Sequence, residues 1–348
     1  MRIAQVAPLY ESVPPQFYGG TERIISYLTE ELVRRGHEVT LFASGDSRTA
    51  ARLRPACERS LRLDPECQDS VAHHLLMLEQ VAREASDFDL VHYHVDYLHF
   101  PMTRRIPQRH LTTLHGRLDI PDLVPLYREF RDVPLVSISD AQREPLRWAN
   151  WQGTIYHGLP EDLYPFQEQP GSYLAFLGRI SPEKGCHQAI DIALQSGMPI
   201  KIAAKIGGPA DRDYFEAMVR PLLSQPGVEF LGEISDREKA SFLGGARALL
   251  FPISWPEPFG LVMIEALACG TPVLAFPCGS VPEILEPGVT AEIGRTIPDL
   301  VSAVGRLDEI DRAQCRQSFE RRFSSARMRE DYEQLYERVM SEAGSWMK

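Results

Sequence analysis

Two glutamates eight positions apart, Glu257 and Glu265, sit in the most chemically suggestive run of the chain, PEPFGLVMIEALACGTPVLAFPCGSVPEI. A helix starting near Phe259 would put Glu265 roughly two turns along, about 10 Å from the amino end at ~1.5 Å per residue. That placement does not make an acid/base dyad, which in glycosidases spans ~5–9.5 Å across one bond. The two carboxylates are better suited to holding different parts of one ligand. Between them, the amides of Phe259, Gly260 and Leu261 would be the unpaired donors of a helix amino end, a site that suits oxygen-rich or anionic groups. A helix with an acidic first turn is the plainer reading of the glutamates alone, but the whole string argues against it.

Three further motifs carry weaker signals. In GRISPEKG, Arg179 and Lys184 straddle a strand end and a helix start. Two cations five residues apart, beside the positive end of a helix, can neutralise a diphosphate, although solvated charges are the commoner fate of Arg and Lys. In GGTE, Gly19 and Gly20 would let a ligand approach the backbone, with Thr21 capping the next helix and Glu22 in its first turn. His115 ends HLTTLH ahead of Gly116, which places an imidazole at the rim of a cleft, although a lone histidine is more often structural.

The cluster His92, His94, Asp96 and His99 resembles a metal site at first sight, with His92 and His94 on one strand face. No fixed helix spacing supports a chelate, so no metal is expected, and Asp96 is kept as a cleft-facing candidate. Two Arg-rich stretches, 48 to 62 (Arg48, Arg52, Arg54, Arg59, Arg62) and 312 to 329, would suit an anionic acceptor or lipid surface. Solvated helix faces are the favoured reading of both.

The elements that must position these residues follow one grammar written twice. RIAQVAP (2 to 8), a Gly-containing loop, TERIISYLTEELVRRG with Ile24, Ile25, Leu28, Leu32 and Val33 at helical spacing, then EVTLFAS (38 to 44) read as a right-handed β-α-β unit. DLVHYHV (89 to 95), HLTTLH (110 to 115) and PLVSIS (134 to 139) continue the sheet. The second half repeats the pattern with YLAFLGRI (173 to 180), IKIAAKI (200 to 206), VEFLGEI (228 to 234), ARALLFPI (246 to 253) and TPVLAF (271 to 276), and is helical from about 297. The Pro-rich stretch YPFQEQPGS (164 to 172) marks the junction, giving domains 1–165 and 166–323 and a last helix in 324–348. Doubly wound α/β sheets bind ligands at the carboxyl ends of their strands, so the cleft between two such sheets is where function belongs.

Length and composition agree. The chain has 348 residues, 44% apolar and 24% charged, enough for two cores at ~100–200 residues per domain. Lys plus Arg number 37 against 48 Asp plus Glu, a net charge of −11 that opposes a broad grip on nucleic acid. Six cysteines without C-x-x-C spacing suggest neither zinc nor a disulfide framework and fit a reducing cytoplasm. The N-terminal apolar run is too short for a signal peptide, and no stretch approaches the ~18 apolar residues of a membrane span. The expectation is a cytoplasmic protein, with peripheral contact at the inner membrane face left open.

GGTE, TLHG, GRISPEKG and EPFGLVMIEALACGTPVLA occur in the order found in the retaining glycosyltransferases of family 4, which this sequence resembles over nearly its whole length. The resemblance implies a GT-B fold, two Rossmann-like domains facing across a cleft. The first would supply most of the acceptor site and the second would bind the nucleotide sugar, with the last helix returning to the first. It casts His115, Arg179, Lys184 and Glu257 in catalytic roles: the two cations on the diphosphate, Glu257 on the sugar hydroxyls, His115 on the donor sugar near the reacting carbon. Donor-binding roles fall to Gly19, Gly20, Phe259, Gly260, Leu261 and Glu265, with Gly20 under the diphosphate and Glu265 on the ribose. One departure is His157-Gly158-Leu159, where the family often has Asn-Gly. The implied reaction moves a sugar from a UDP- or GDP-sugar to a hydroxyl-bearing acceptor (sugar, lipid or small molecule), with retention and with neither cofactor nor metal. A nucleotide-sugar epimerase on the same plan, and a nucleotide-sugar-binding protein without catalysis, are the alternatives; the Glu257 to Glu265 string favours transfer.

Overall fold

Strands of alternating burial cannot be covered on both faces, but runs such as Ile3, Ala4 and Val6 or Leu249, Leu250 and Phe251 are buried throughout, as central strands of a parallel sheet must be. The computed structural model describes residues 1–16 and 19–341. Its backbone contacts divide the chain into two units, Met1–Gly158 with the helix from Ser325, and Leu159–Ser324.

The first unit contains β1 (Arg2–Val6), β2 (Glu38–Ser44), β3 (Arg52–Cys57), β4 (Leu90–Tyr93), β5 (His110–Thr113), β6 (Leu135–Ser137) and β7 (Trp151–Thr154). All pair in parallel, in the order β3-β2-β1-β4-β5-β6-β7. The second unit contains β8 (Leu174–Ile180), β9 (Ile200–Ile206), β10 (Val228–Gly232), β11 (Ala248–Phe251), β12 (Val273–Ala275) and β13 (Ala291–Ile293), ordered β10-β9-β8-β11-β12-β13, again parallel. Each order reverses beside its first strand, between β1 and β4 and between β8 and β11. That is where loops leave a doubly wound sheet in opposite directions and open a crevice at the carboxyl ends.

Helix Gly20–Arg34 buries Ile24, Ile25, Leu28 and Leu32, the face expected from their spacing. The helix Ser325–Ser341 packs on this same unit: Ser325 Oγ donates to Glu31 at 2.7 Å, His37 Nε2 lies 2.8 Å from Glu333, and Tyr332 and Tyr336 are buried. The Pro-rich stretch lies inside the second unit. The Gln167 amide donates to the Cys269 carbonyl at 3.0 Å, and Gln167's own carbonyl accepts from Arg312.

Several local expectations are corrected. The Arg-rich stretch 48 to 62 is no helix face: Arg52 and Arg54 lie on strand β3, paired to Thr40 and Phe42 of β2, with Arg54 ion-paired to Glu84. Pro55 and two arginines hid its pattern. Strands β7 and β13 were too short to show a period. Helix Gly20–Arg34 starts at Gly20, with Gly19 as its cap and no capping side chain, so Thr21 lies within the helix and does not cap it. Among the described residues no helix is long and apolar enough to cross a membrane.

The second Arg-rich stretch is corrected in part, because three of its arginines, Arg312, Arg316 and Arg322, donate to carbonyls at helix ends. Arg312, 6% exposed, donates to the carbonyls of Gln167 (2.7 Å), Ala246 (3.0 Å) and Gly244 (2.9 Å) and to Thr271 Oγ1 (2.8 Å). Arg316 donates to the carbonyls of Ala268, Tyr164 and Glu161, and Arg322 to those of Ile284 and Glu283. Gly244, Ala268 and Ile284 each end a helix, where carbonyls lack intrahelical partners and positive charge is favoured. Arg312→Lys keeps the charge but loses the fork. With charged hydrogen bonds worth ~1.5–3 kcal/mol each, it should destabilise the protein by about 2–4 kcal/mol. Urea unfolding measures this, and an unshifted midpoint would mean the bolt carries no load.

Candidate functional site

In the second unit the expected residues gather where β8 and β11 end. Arg179 is the penultimate residue of β8, and Lys184 ends the short turn Pro182–Lys184 that follows. Glu257 lies in the loop after β11, and the helix Leu261–Ala268 starts behind Gly260. That start corrects the expected one near Phe259, and Glu265 therefore lies little more than one turn into the helix. Gly260 adopts φ +78°, and a side chain there would meet Met263 Cε at 2.8 Å and Phe251 Cζ at 3.1 Å. Phe259 contributes bulk as well as an amide: it is 2% exposed, its ring 6.2 Å from that of Phe323, and its carbonyl accepts from Ser280 Oγ.

The structure brings Lys184 and Glu257, 73 positions apart, into a direct ion pair. The same Glu257 oxygen accepts from the Trp255 indole at 2.9 Å, and the ammonium lies 4.8 Å from that ring. The backbone of Glu257 is fixed by the Ser280 amide, which donates to its carbonyl at 3.0 Å. Gly279, at φ +57°, permits this: a Cβ there would lie 2.3 Å from the Glu257 nitrogen. Arg179 is held separately, by Glu183 at 2.7 Å and Asp211 at 3.5 Å, with 44% of its side chain exposed. Glu265, 3% exposed, accepts through Oε1 from Tyr164 at 2.9 Å and Lys239 at 3.2 Å. Sequence reasoning passed over Trp255, Glu183, Asp211, Tyr164, Lys239 and Ser280. Trp255, two residues ahead of Glu257, and Glu183, next to Lys184, carried a local signal.

A cavity of about 280 Å³ in the same unit lies elsewhere, lined by Phe166, Arg247, Pro272 and Asp308 at the amino ends of β11 and β12. Its Arg247 and Asp308 pair with each other, and it lies away from all the residues above.

In the first unit, Gly19 precedes helix Gly20–Arg34 with extended backbone (φ −179°), and a Cβ on it would meet Pro15 at 2.8 Å. Gly20 opens that helix, and Glu22 behind it is buried, its carboxyl raised by desolvation. Asp96 is exposed in the loop after β4, in the left-handed region at φ 51°. His115 follows β5, where the Gln142 amide braces the backbone on either side by donating to the carbonyls of Leu114 (2.9 Å) and Gly116 (2.8 Å).

His115 is not alone at a rim. Its Nε2 lies 2.9 Å from His94 Nδ1, and its ring stacks 5.2 Å from that of His157. The would-be metal cluster is a hydrogen-bonded core: His92 meets Tyr336 and Thr113, His94 meets Gln5, and His99 meets Thr103 and Thr112. Among the described residues, no group of three or more His, Cys, Asp or Glu side chains is placed to hold a metal ion.

Residues 166–306 match the family model described as Glycosyl transferases group 1, and residues 18–158 match Glycosyltransferase Family 4. The chain belongs to the family 4 glycosyltransferases. It is 24% identical to the O-antigen chain mannosyltransferase C of Escherichia coli over 79% of its length and 80% of that protein's. It is 34% identical to the D-inositol 3-phosphate glycosyltransferase of Mycobacterium leprae over 43% of its length, which spans only 34% of that protein. In fold it is similar to Anabaena HepE, solved in complex with UDP and glucose, with a TM-score of 0.72 at 17% identity over 95% of this chain and 98% of that one. The two parallel-sheet units of this glycosyltransferase are thus those of the GT-B fold.

The buried imidazoles of the glycosyltransferase are neutral. Burial lowers His92, His94, His99 and His157 well below the ordinary 6.5, and pushes His115 down to about 3. Above pH 6.5 folded and unfolded chains are alike in these groups. Below it the unfolded chain takes up protons that the folded chain refuses, so stability falls as pH drops from 6.5 toward 3. Melting temperature should therefore decline between pH 6.5 and 5, before ordinary carboxylates titrate. A flat profile across that window would contradict the neutral core.

Proposed function

We propose that this glycosyltransferase takes a sugar from a uridine or guanosine diphosphate sugar and joins it to a hydroxyl-bearing acceptor. On this reading the anomeric configuration is retained, and protein groups rather than a metal meet the diphosphate charge. The observation that carries it is the separate bracing of two carboxylates around helix Leu261–Ala268, Glu257 by Lys184 and Trp255, Glu265 by Tyr164 and Lys239. An ionised carboxylate has about four acceptor positions, so each keeps capacity for ligand hydroxyls. Glu257 would take those of the sugar and Glu265 those of the ribose. The UDP and glucose bound by HepE support a uridine donor, and the mannosyltransferase relative supports a hexosyl group.

Charge supports the same assignment. Arg179, positioned by Glu183 and Asp211, and Lys184 stand at the end of β8, ready to exchange carboxylate partners for phosphate oxygens. The amides of Gly260 and Leu261, at the amino end of a helix, would add donors to the same charge. Gly19 and Gly20 would give the diphosphate room beside helix Gly20–Arg34, and His115 would meet the sugar.

On this reading, retention does not run through a double displacement at Glu257. Double displacement needs a carboxylate nucleophile beside the anomeric carbon, whereas Glu257 Oε2 already accepts from an ammonium and an indole, which reduces its nucleophilicity. The acceptor oxygen would then attack from the face the diphosphate is leaving. As the bond to the diphosphate breaks, the diphosphate takes the acceptor's proton, and Arg179 with Lys184 stabilises the charge developing on it. Loss of such a donor typically costs ~2.7–4 kcal/mol of barrier.

Two measurements test the reading. An α-linked donor should give an α-linked product, seen in the proton NMR coupling of the first product before mutarotation; a β coupling would remove the protein from the retaining class. Glu265→Ala should weaken nucleotide binding by roughly 1.5–3 kcal/mol, the range for hydrogen bonds to a charged group. Unchanged affinity in calorimetry would show that Glu265 does not hold the ribose.

A further inference from the structure

Seven side chains in the first unit form one hydrogen-bonded chain that ends at His115. From the closing helix, Tyr332 Oη lies 2.9 Å from Thr113 Oγ1, which lies 2.7 Å from His92 Nε2. His92 Nδ1 is 2.8 Å from Tyr336 Oη, and Tyr336 is 3.2 Å from Gln5 Nε2. Gln5 Oε1 is 2.8 Å from His94 Nε2, and His94 Nδ1 is 2.9 Å from His115 Nε2. Gln5, Thr113, His92, His94, Tyr332 and Tyr336 are all at most 2% exposed.

Every hydroxyl and neutral imidazole in that chain can either give or take a proton at a given contact. Gln5 cannot: one end of its amide only donates and the other only accepts, so it alone sets the direction of the whole series. With Oε1 toward His94, the proton of neutral His94 sits on Nε2. Nδ1 of His94 must then accept, and His115 must donate from Nε2. His115 Nδ1 is left as a bare lone pair, and it is enclosed without a partner. On the other branch the amide donates to Tyr336, Tyr336 to His92, His92 to Thr113 and Thr113 to Tyr332.

Two observations favour this direction over its reverse. The 3.2 Å contact of Gln5 with Tyr336 is long for O–H···O, whose usual length is ~2.7–2.8 Å, but lies within the ~2.7–3.2 Å range of N–H···O. In the reverse direction His115 Nδ1 would be an enclosed N–H without an acceptor, and orphaned donors are rarer in folded proteins than underused acceptors.

We infer that Gln5, held by Tyr336 and acting through His94, is a positioning residue that fixes His115 as the Nε2–H tautomer and leaves its enclosed Nδ1 as a bare lone pair. The effect on sugar transfer rests on the reading that His115 meets the donor sugar; the tautomer does not. Burial keeps His94 and His115 neutral, so the arrangement persists at physiological pH. A ring locked in one tautomer and one orientation would be pre-organised for the donor sugar before it arrives.

The test is a long-range ¹H–¹⁵N correlation spectrum of the ligand-free protein with labelled histidines, assigned by comparison with His94→Gln and His115→Gln. His94 and His115 should both show a protonated Nε2 and a bare Nδ1. A protonated Nδ1 on either overturns the inference, whatever the enzyme's activity. Gln5→Met, which removes both ends of the amide, should replace the single His115 tautomer by a mixture. It should lower kcat/KM for sugar transfer by about 10- to 100-fold, as for one positioned hydrogen bond, while leaving the affinity for uridine or guanosine diphosphate alone unchanged. Tyr336→Phe, which frees the amide to turn, should mix the tautomers in the same sense. A His115 spectrum unmoved by both variants overturns the role of Gln5. The predicted tautomer in a protein that transfers no sugar would support this inference and count against the proposed activity instead.

Discussion

A parallel sheet cannot turn a strand straight back beside its neighbour; each strand must be followed by a crossover, and right-handed crossovers force all the outgoing loops to one edge. Both units obey this constraint, and the remaining features depend on it. Because strand order reverses beside β1 and beside β8, the loops after β1 and β4, and after β8 and β11, leave in opposite directions. Arg179, Lys184, Asp211 and Glu257 come from three such loops or strand ends, which is how groups up to 73 positions apart reach one another.

The ionic contacts of the second unit fall into two kinds with different physical duties. Arg312 is nearly sealed from water and makes four hydrogen bonds to groups that would otherwise be unsatisfied, so removing it leaves buried carbonyls without partners. Arg179 pairs with Glu183 and Asp211 at a half-open surface, where solvent screens the attraction and the pairs contribute little to stability. Such pairs orient a cation without holding it strongly, which suits a group that has to change partners when an anion arrives. Lys184 lies between these extremes, partly enclosed by Trp255 and Glu257.

The first unit solves a different problem, since it buries polar rings where the β1, β4 and β5 strands end. Buried polar atoms are tolerable only when partnered, and the series from Tyr332 to His115 partners each of its own ring nitrogens except His115 Nδ1. The closing helix Ser325–Ser341 is therefore part of the polar interior of this unit as well as its cover. Through Tyr332 and Tyr336 it touches the strand residues that lead to His115.

The sequence by itself determined the class of fold and the location of the donor-side residues. Apolar-rich runs such as IKIAAKI and EVTLFAS announce buried parallel strands, and helical spacing in TERIISYLTEEL announces the cover, because period and polarity are local properties. GRISPEKG and EPFGLVMIE were legible for the same reason, their chemistry lying within a few adjacent residues. What failed locally failed where local signals conflict: β3 carries three charged or ring-locked residues among six, and Gly260 delays a helix that the sequence allows to begin at Phe259. Tertiary structure alone decided the rest. That Arg312 and Arg316 are bolts rather than a basic surface, that Tyr164 and Lys239 hold Glu265, and that Gln5 stands between Tyr336 and His94 all depend on contacts between residues from 26 to 331 positions apart. The identity of a side chain states what it can donate or accept; which partner it meets is set by packing over distances that no local pattern encodes.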